Sequence, residues 1–151
     1  DARPRLPKEF VAKLRNYSGQ EAKKYATMED LLARYRLQPA GTTAGPAIVR
    51  HVAERGARQK DDGTWQHNFD RRIHSTREVT DGLAFWRKVG IPALLVTGAL
   101  SNRINPEIFA EMKACCQQLE HAEVANSDHH VTLDNPRGFV RVVEPFLAKH
   151  S

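Results

Sequence analysis

At 151 residues the chain is long enough to form one domain, or a substantial piece of one, around a buried core. Its 40% hydrophobic and 27% charged residues are ordinary globular proportions, and no run approaches the roughly 18 apolar residues a bilayer crossing needs, which excludes a membrane span. The net charge of +5 comes from basic residues scattered through every predicted element, without a stripe or block, so nucleic acid is not the expected partner.

The segment Lys8 to Tyr17 puts Phe10, Val11, Leu14 and Tyr17 at helical spacing behind Pro7, a residue suited to a first helical turn. Thr27 reads as an N-cap with Glu29 and Asp30 in the first turn, which predicts a second helix from Met28 to about Arg36. A third is expected with Thr43 as its cap, Pro46 in the first turn, Ile48, Val49 and Val52 on the apolar side and Gly56 past its end. Two short stretches, 57–60 and 64–69, flank Asp61-Asp62-Gly63 and predict a small hairpin.

From Leu83 the character changes. A helix ending near Gly90 leads through Ile91-Pro92 into Ala93-Leu94-Leu95-Val96-Thr97, a continuous apolar run of the kind a strand covered on both faces carries. Pro106 opens a helix to about Leu119, residues 121–125 form another short strand, and Asn135-Pro136 opens a last helix towards Lys149, with Pro145 expected to bend or break it. Strand, helix, strand, helix is the ending of a parallel α/β sheet. Two strands are too few for a sheet that usually has about five or six, so the others are expected from elsewhere. The natural boundary falls near residues 75–82.

The adjacent Cys115 and Cys116 are read as reduced, helix-borne core residues, because neighbouring helical side chains splay too far apart to bridge. Free thiols, together with the absence of a signal-type apolar segment behind Asp1-Ala2-Arg3-Pro4-Arg5, point to a reducing, cytoplasmic location.

The chemistry concentrates in Ser127-Asp128-His129-His130-Val131-Thr132-Leu133-Asp134-Asn135-Pro136, after a strand and before a helix, where open α/β sheets carry their reactive groups. A histidine there is suited to general base and then general acid work, since its ordinary pKa near 6.5 allows both. On spacing alone His129 and His130 read more readily as plain loop histidines or a metal pair, and no Cys or carboxylate cluster at ligand spacing supports the metal.

His129, followed seven residues later by Pro136 and then by Phe139 and Val143-Glu144-Pro145-Phe146-Leu147, closely resembles the C-terminus of the α/β-hydrolase family. In that resemblance His129, not His130, takes the place of the triad histidine. Ile91 to Ser101 resembles the family's penultimate core strand, Trp65 through Arg71 its cap region, and Asp1-Ala2-Arg3-Pro4 the stretch after its sixth strand.

The resemblance implies an α/β fold: residues 1–80 a mainly helical cap with a small hairpin, and residues 81–151 the C-terminal part of the hydrolase core. It implies serine-type hydrolysis of an ester, lactone or similar small molecule, with His129 as base and neither metal nor organic cofactor. No Gly-x-Ser-x-Gly elbow occurs, so the nucleophile is expected on a separate N-terminal half. At the acid position the chain offers Asn102, which can orient an imidazole but not balance its charge, and Asp1 is the alternative. Trp65 is the candidate substrate-binding aromatic. A hydrolase-like module that binds without catalysing is the rival expectation, since a fold alone does not set an activity.

Overall fold

The computed structural model describes residues 3–151. The chain packs as two units. One comprises residues 6–37 and 45–79, and the other residues 3–5, 38–44 and 80–151.

The first unit holds helices α1 (Lys8–Ser18), α2 (Met28–Arg34) and α3 (Pro46–Arg55), strands β1 (Ala57–Gln59) and β2 (Trp65–His67), and a short 3-10 turn, Arg71–His74. Thr27 caps α2 as its sequence indicates, its hydroxyl oxygen accepting from the Asp30 amide at 3.1 Å and satisfying one orphan donor of the first turn. Thr43 does not cap α3. That place is taken by Gly45 in extended conformation, with Pro46 at the first helical position, where its missing N–H costs nothing. The hairpin forms as expected, β1 antiparallel to β2 around a turn with Gly63 at φ +80, and Tyr25 exchanges two backbone hydrogen bonds with Trp65 on the free side of β2. Val11, Leu31 and Ala53 are the buried hydrophobic residues of this unit.

The second unit is built on two parallel strands, β3 (Ala93–Gly98) and β4 (Leu119–Val124), paired from Ala93 opposite Leu119 to Gly98 opposite Val124. Helix α4 (Leu83–Trp86) precedes β3, α5 (Pro106–Cys115) connects β3 to β4, and α6 (Val131–Asp134) and α7 (Pro136–His150) follow. Side chains alternate across the sheet, so Ala93, Leu95, Leu119 and His121 share one face. That face is covered by Leu83, Met112 and Cys116, with Trp86, Ile108 and Phe109 around them. Each such buried aliphatic side chain contributes roughly 1.5–3 kcal/mol relative to exposure.

Glu120 and Val124 point to the other face. There Glu120 meets Lys149 at 2.6 Å and His150 at 3.2 Å, and Gly138 lies against Val124, so α7 covers it. A parallel pair with helices on both faces is what the doubly apolar run 93–97 requires. No third strand flanks the pair among the described residues.

Three expectations need correction. Helix α5 ends at Cys115, four residues early, and buried Cys116 is its C-cap in extended conformation, so the two free thiols sit at a helix end and not mid-helix. Strand β4 accordingly starts at Leu119. Helix α7 runs unbroken through Pro145. Proline removes the donor for the Arg141 carbonyl, but both residues lie on the exposed side of the helix, where a lost backbone donor costs least.

Candidate active site

Two loops meet at the carboxyl ends of the parallel strands, residues 99–105 after β3 and residues 125–130 after β4. They are stitched through the backbone: Ala99 donates to the Val124 carbonyl at 3.0 Å and Leu100 to the Ser127 carbonyl at 2.9 Å. Gly98 allows this approach, because a Cβ at that position would overlap the carbonyls of Ser127 and Asp128. Ser127 is wholly buried at the crossing, which removes its hydroxyl from any reaction with substrate.

His129 is partly buried in the second loop, and its ring packs edge-on to that of His130 with centroids 5.1 Å apart. Its pKa is pushed down to about 4, first by burial, then by the positive charge of Arg103 and by His130, while Asp128 pulls the other way. The imidazole is therefore neutral at physiological pH, which a general base must be. His130 is engaged differently: its Nε2 pairs with the Pro39 carbonyl at 2.8 Å, which makes that nitrogen the protonated one.

The loop backbone on either side of His129 is fixed by carboxylates. Asp128 Oδ1 accepts from the His129 amide at 2.7 Å, and Asp134 Oδ2 accepts from the Asp128 amide at 2.7 Å. Asn135 caps α7, its side-chain oxygen accepting from the Gly138 amide at 2.9 Å, in agreement with its sequence role.

Asn102 lies on the loop after β3, so the structure brings it to the same end of the sheet as His129, with its side chain exposed. Asp1 lies outside the described residues. Trp65 is half-buried on β2 in the helical unit. Trp86 packs against the core of its own unit, while Phe69 is exposed against His74. Among the described residues no group of three or more His, Cys, Asp or Glu is arranged to hold a metal ion. No helix among them is long and apolar enough to cross a membrane.

Two features escaped the sequence: the basic neighbour Arg103, and the reach of Asp134. The Asp134 carboxylate, beside the start of α7, extends to the 42–44 segment, accepting from the Thr42 hydroxyl and from the Thr43 and Ala44 amides at 3.0 and 3.1 Å. Thr43, expected to cap α3, donates its hydroxyl to the Asn126 carbonyl at 2.8 Å. These partners stand more than 80 residues apart, and no local spacing announces them.

Solved structures that resemble this chain, with its short parallel β3–β4 pair covered by helices, have the α/β-hydrolase fold. An esterase from M. tuberculosis matches with a TM-score of 0.75 at 19% identity, over 93% of this chain and 48% of its own. E-2-(acetamidomethylene)succinate hydrolase matches at 0.70 and 20%, over 94% and 53%. An α/β hydrolase from Novosphingobium aromaticivorans matches at 0.64 and 18%, over 99% and 55%. The chain has the α/β-hydrolase fold and spans about half the length of these structures, in keeping with a C-terminal portion. No protein-family profile matches its sequence, nor does any curated protein.

Proposed function

We propose that this chain is the C-terminal half of a serine-type α/β hydrolase, supplying the cap and the general base His129 for cleavage of an ester, lactone or similar small-molecule substrate. The observation that carries the reading is a neutral, partly buried imidazole on a backbone-fixed loop at the carboxyl end of the last parallel strand. In the proposed cycle a serine hydroxyl on the N-terminal half attacks the substrate carbonyl as His129 takes its proton. The imidazolium then returns that proton to the departing alcohol, and water, deprotonated by the same imidazole, releases the acid. Trp65 is assigned to substrate contact from the cap, and Asp1 or Asn102 to orienting the imidazole. The sequence carries no glycine-flanked serine, and the proposal accordingly assigns the nucleophile and oxyanion donors to the N-terminal half.

The test is to measure intact masses of every polypeptide in the purified native protein and then label it with a fluorophosphonate. A labelled serine within Gly-x-Ser-x-Gly, on a polypeptide joined or bound to this chain, is expected. A native protein without such a serine, refractory to the reagent, overturns the catalytic reading and leaves a binding module.

A further inference from the structure

Segment 38–44 belongs to the same unit as the histidine loop, although the residues before and after it in sequence, up to Leu37 and from Gly45, belong to the helical unit. The contacts that hold it are concentrated on one side chain. Asp134, at the end of the four-residue helix α6, receives the Thr42 hydroxyl and the Thr43 and Ala44 amides on Oδ1, and the Asp128 amide on Oδ2. The Ala44 amide is shared with the Thr42 oxygen at 3.0 Å. Further along the strap, His130 Nε2 meets the Pro39 carbonyl, and Gly41, at φ +105, lies so close to the Asp128 carboxylate that a Cβ would overlap it.

All four groups on Asp134 are donors, an arrangement that only an acceptor with two oxygens satisfies. Burial alone would raise the Asp134 pKa, but hydrogen bonds from Thr42, Asp128, Thr43 and Ala44 outweigh it, and the net direction is down. The carboxylate is thus ionised wherever the protein works. A carboxamide cannot replace it, because turning its oxygen to one set of donors turns its NH2 to the other.

We infer that Asp134 is a positioning residue for His129: it clamps the 38–44 strap to the histidine loop and fixes the backbone from which the imidazole projects. The chain of contacts is short. Asp134 holds the Asp128 amide, Asp128 holds the His129 amide, and the strap holds the neighbouring His130 ring. The inference deepens the proposed function and rests on it for the role of His129.

The test compares Asp134→Asn, Asp134→Glu and Thr42→Val in the complete native protein. Asp134→Asn is expected to speed amide exchange of Thr43, Ala44 and Asp128 by about tenfold or more, while strand amides of β3 and β4 keep their protection. It should also move the His129 titration, followed by NMR, from about 4 towards the ordinary 6.5, and lower kcat on a p-nitrophenyl ester without a matching change in KM. Asp134→Glu retains the two acceptor oxygens and should recover part of each effect. Thr42→Val removes one donor and keeps the charge, so it should loosen the strap amides without unfolding the unit, and it serves where the Asn variant does not fold. Unchanged strap exchange and an unchanged His129 titration in a folded Asn or Val variant overturn the inference. His129→Ala in the same assays separates the two readings: unchanged turnover there defeats the proposed function, whereas turnover lost in His129→Ala but kept in Asp134→Asn defeats only the clamp.

Discussion

The two units are built on different physics. The β3–β4 unit is organised by an apolar cluster, Leu83, Leu95, Met112, Cys116 and Leu119, and by backbone interlocking at one end of the sheet. The helical unit buries few residues, while both units pair charges at the surface: Arg50 with Glu29 and Glu54, Lys24 with Asp62 and Arg72 with Asp70 in the helical unit, Arg5 with Asp81 and Glu111 and Lys149 with Glu120 in the other. Exposed pairs of that kind contribute little net stability, because water and salt screen them and ordering two long side chains costs entropy. Apolar packing and backbone interlocking are thus concentrated in the unit whose loops carry the candidate base.

The largest expected effect follows from removing the base. His129→Ala should lower turnover of the native protein by about 10³–10⁴-fold or more with folding preserved, measured on an activated ester, whereas Trp65→Ala in the helical unit should act mainly on KM. Next comes the interlock. Gly98→Ala forces a Cβ into the carbonyls of Ser127 and Asp128 and should cost about 3 kcal/mol or more in denaturant unfolding, with the histidine loop displaced.

Acid sensitivity sharpens the comparison further. His129 has a folded pKa of about 4 against an ordinary 6.5, so between these values the unfolded chain binds more protons than the folded one. Its contribution to stability is whole above 6.5 and is lost as pH falls through about 4. His67 in the helical unit is shifted the same way by burial and then by Arg71, but less far. His129→Gln should therefore flatten the dependence of the melting midpoint on pH across this window more than His67→Gln does. Arg103→Gln should raise the His129 pKa by a smaller amount, since burial and not Arg103 is the leading cause. The smallest effect belongs to Arg50→Ala, which should leave the melting midpoint within experimental scatter despite its bonds to Glu29 and Glu54.

The sequence made the core unit readable because its signals are local. The apolar run 93–97 has the length and coverage of a buried parallel strand, Pro106 and Pro136 mark helix starts, and the loop bearing His129 falls between the last strand and the last helix. Boundaries set by tertiary packing were not readable in the same way. Residues 116–119 continue a helical apolar pattern, yet Leu119 is needed opposite Ala93, so α5 stops and the strand starts earlier. Thr43 looks like a cap until Asn126 is seen beside it, and Asp134 looks like a turn residue until the strap arrives from 90 residues away. Around the histidine, sequence singled out the reactive side chain but not Arg103 or the strap, because charge proximity and backbone donors leave no motif.

The most direct test of the account is the pH profile of fluorophosphonate labelling in the native protein, wild type against His129→Ala. If His129 is the base, the wild-type labelling rate is level from neutral pH down to about 5 and falls with a midpoint well below 6.5, and the variant loses labelling across the whole range. A variant that labels as fast as wild type, with the same profile, contradicts the assignment of His129 and with it the central claim.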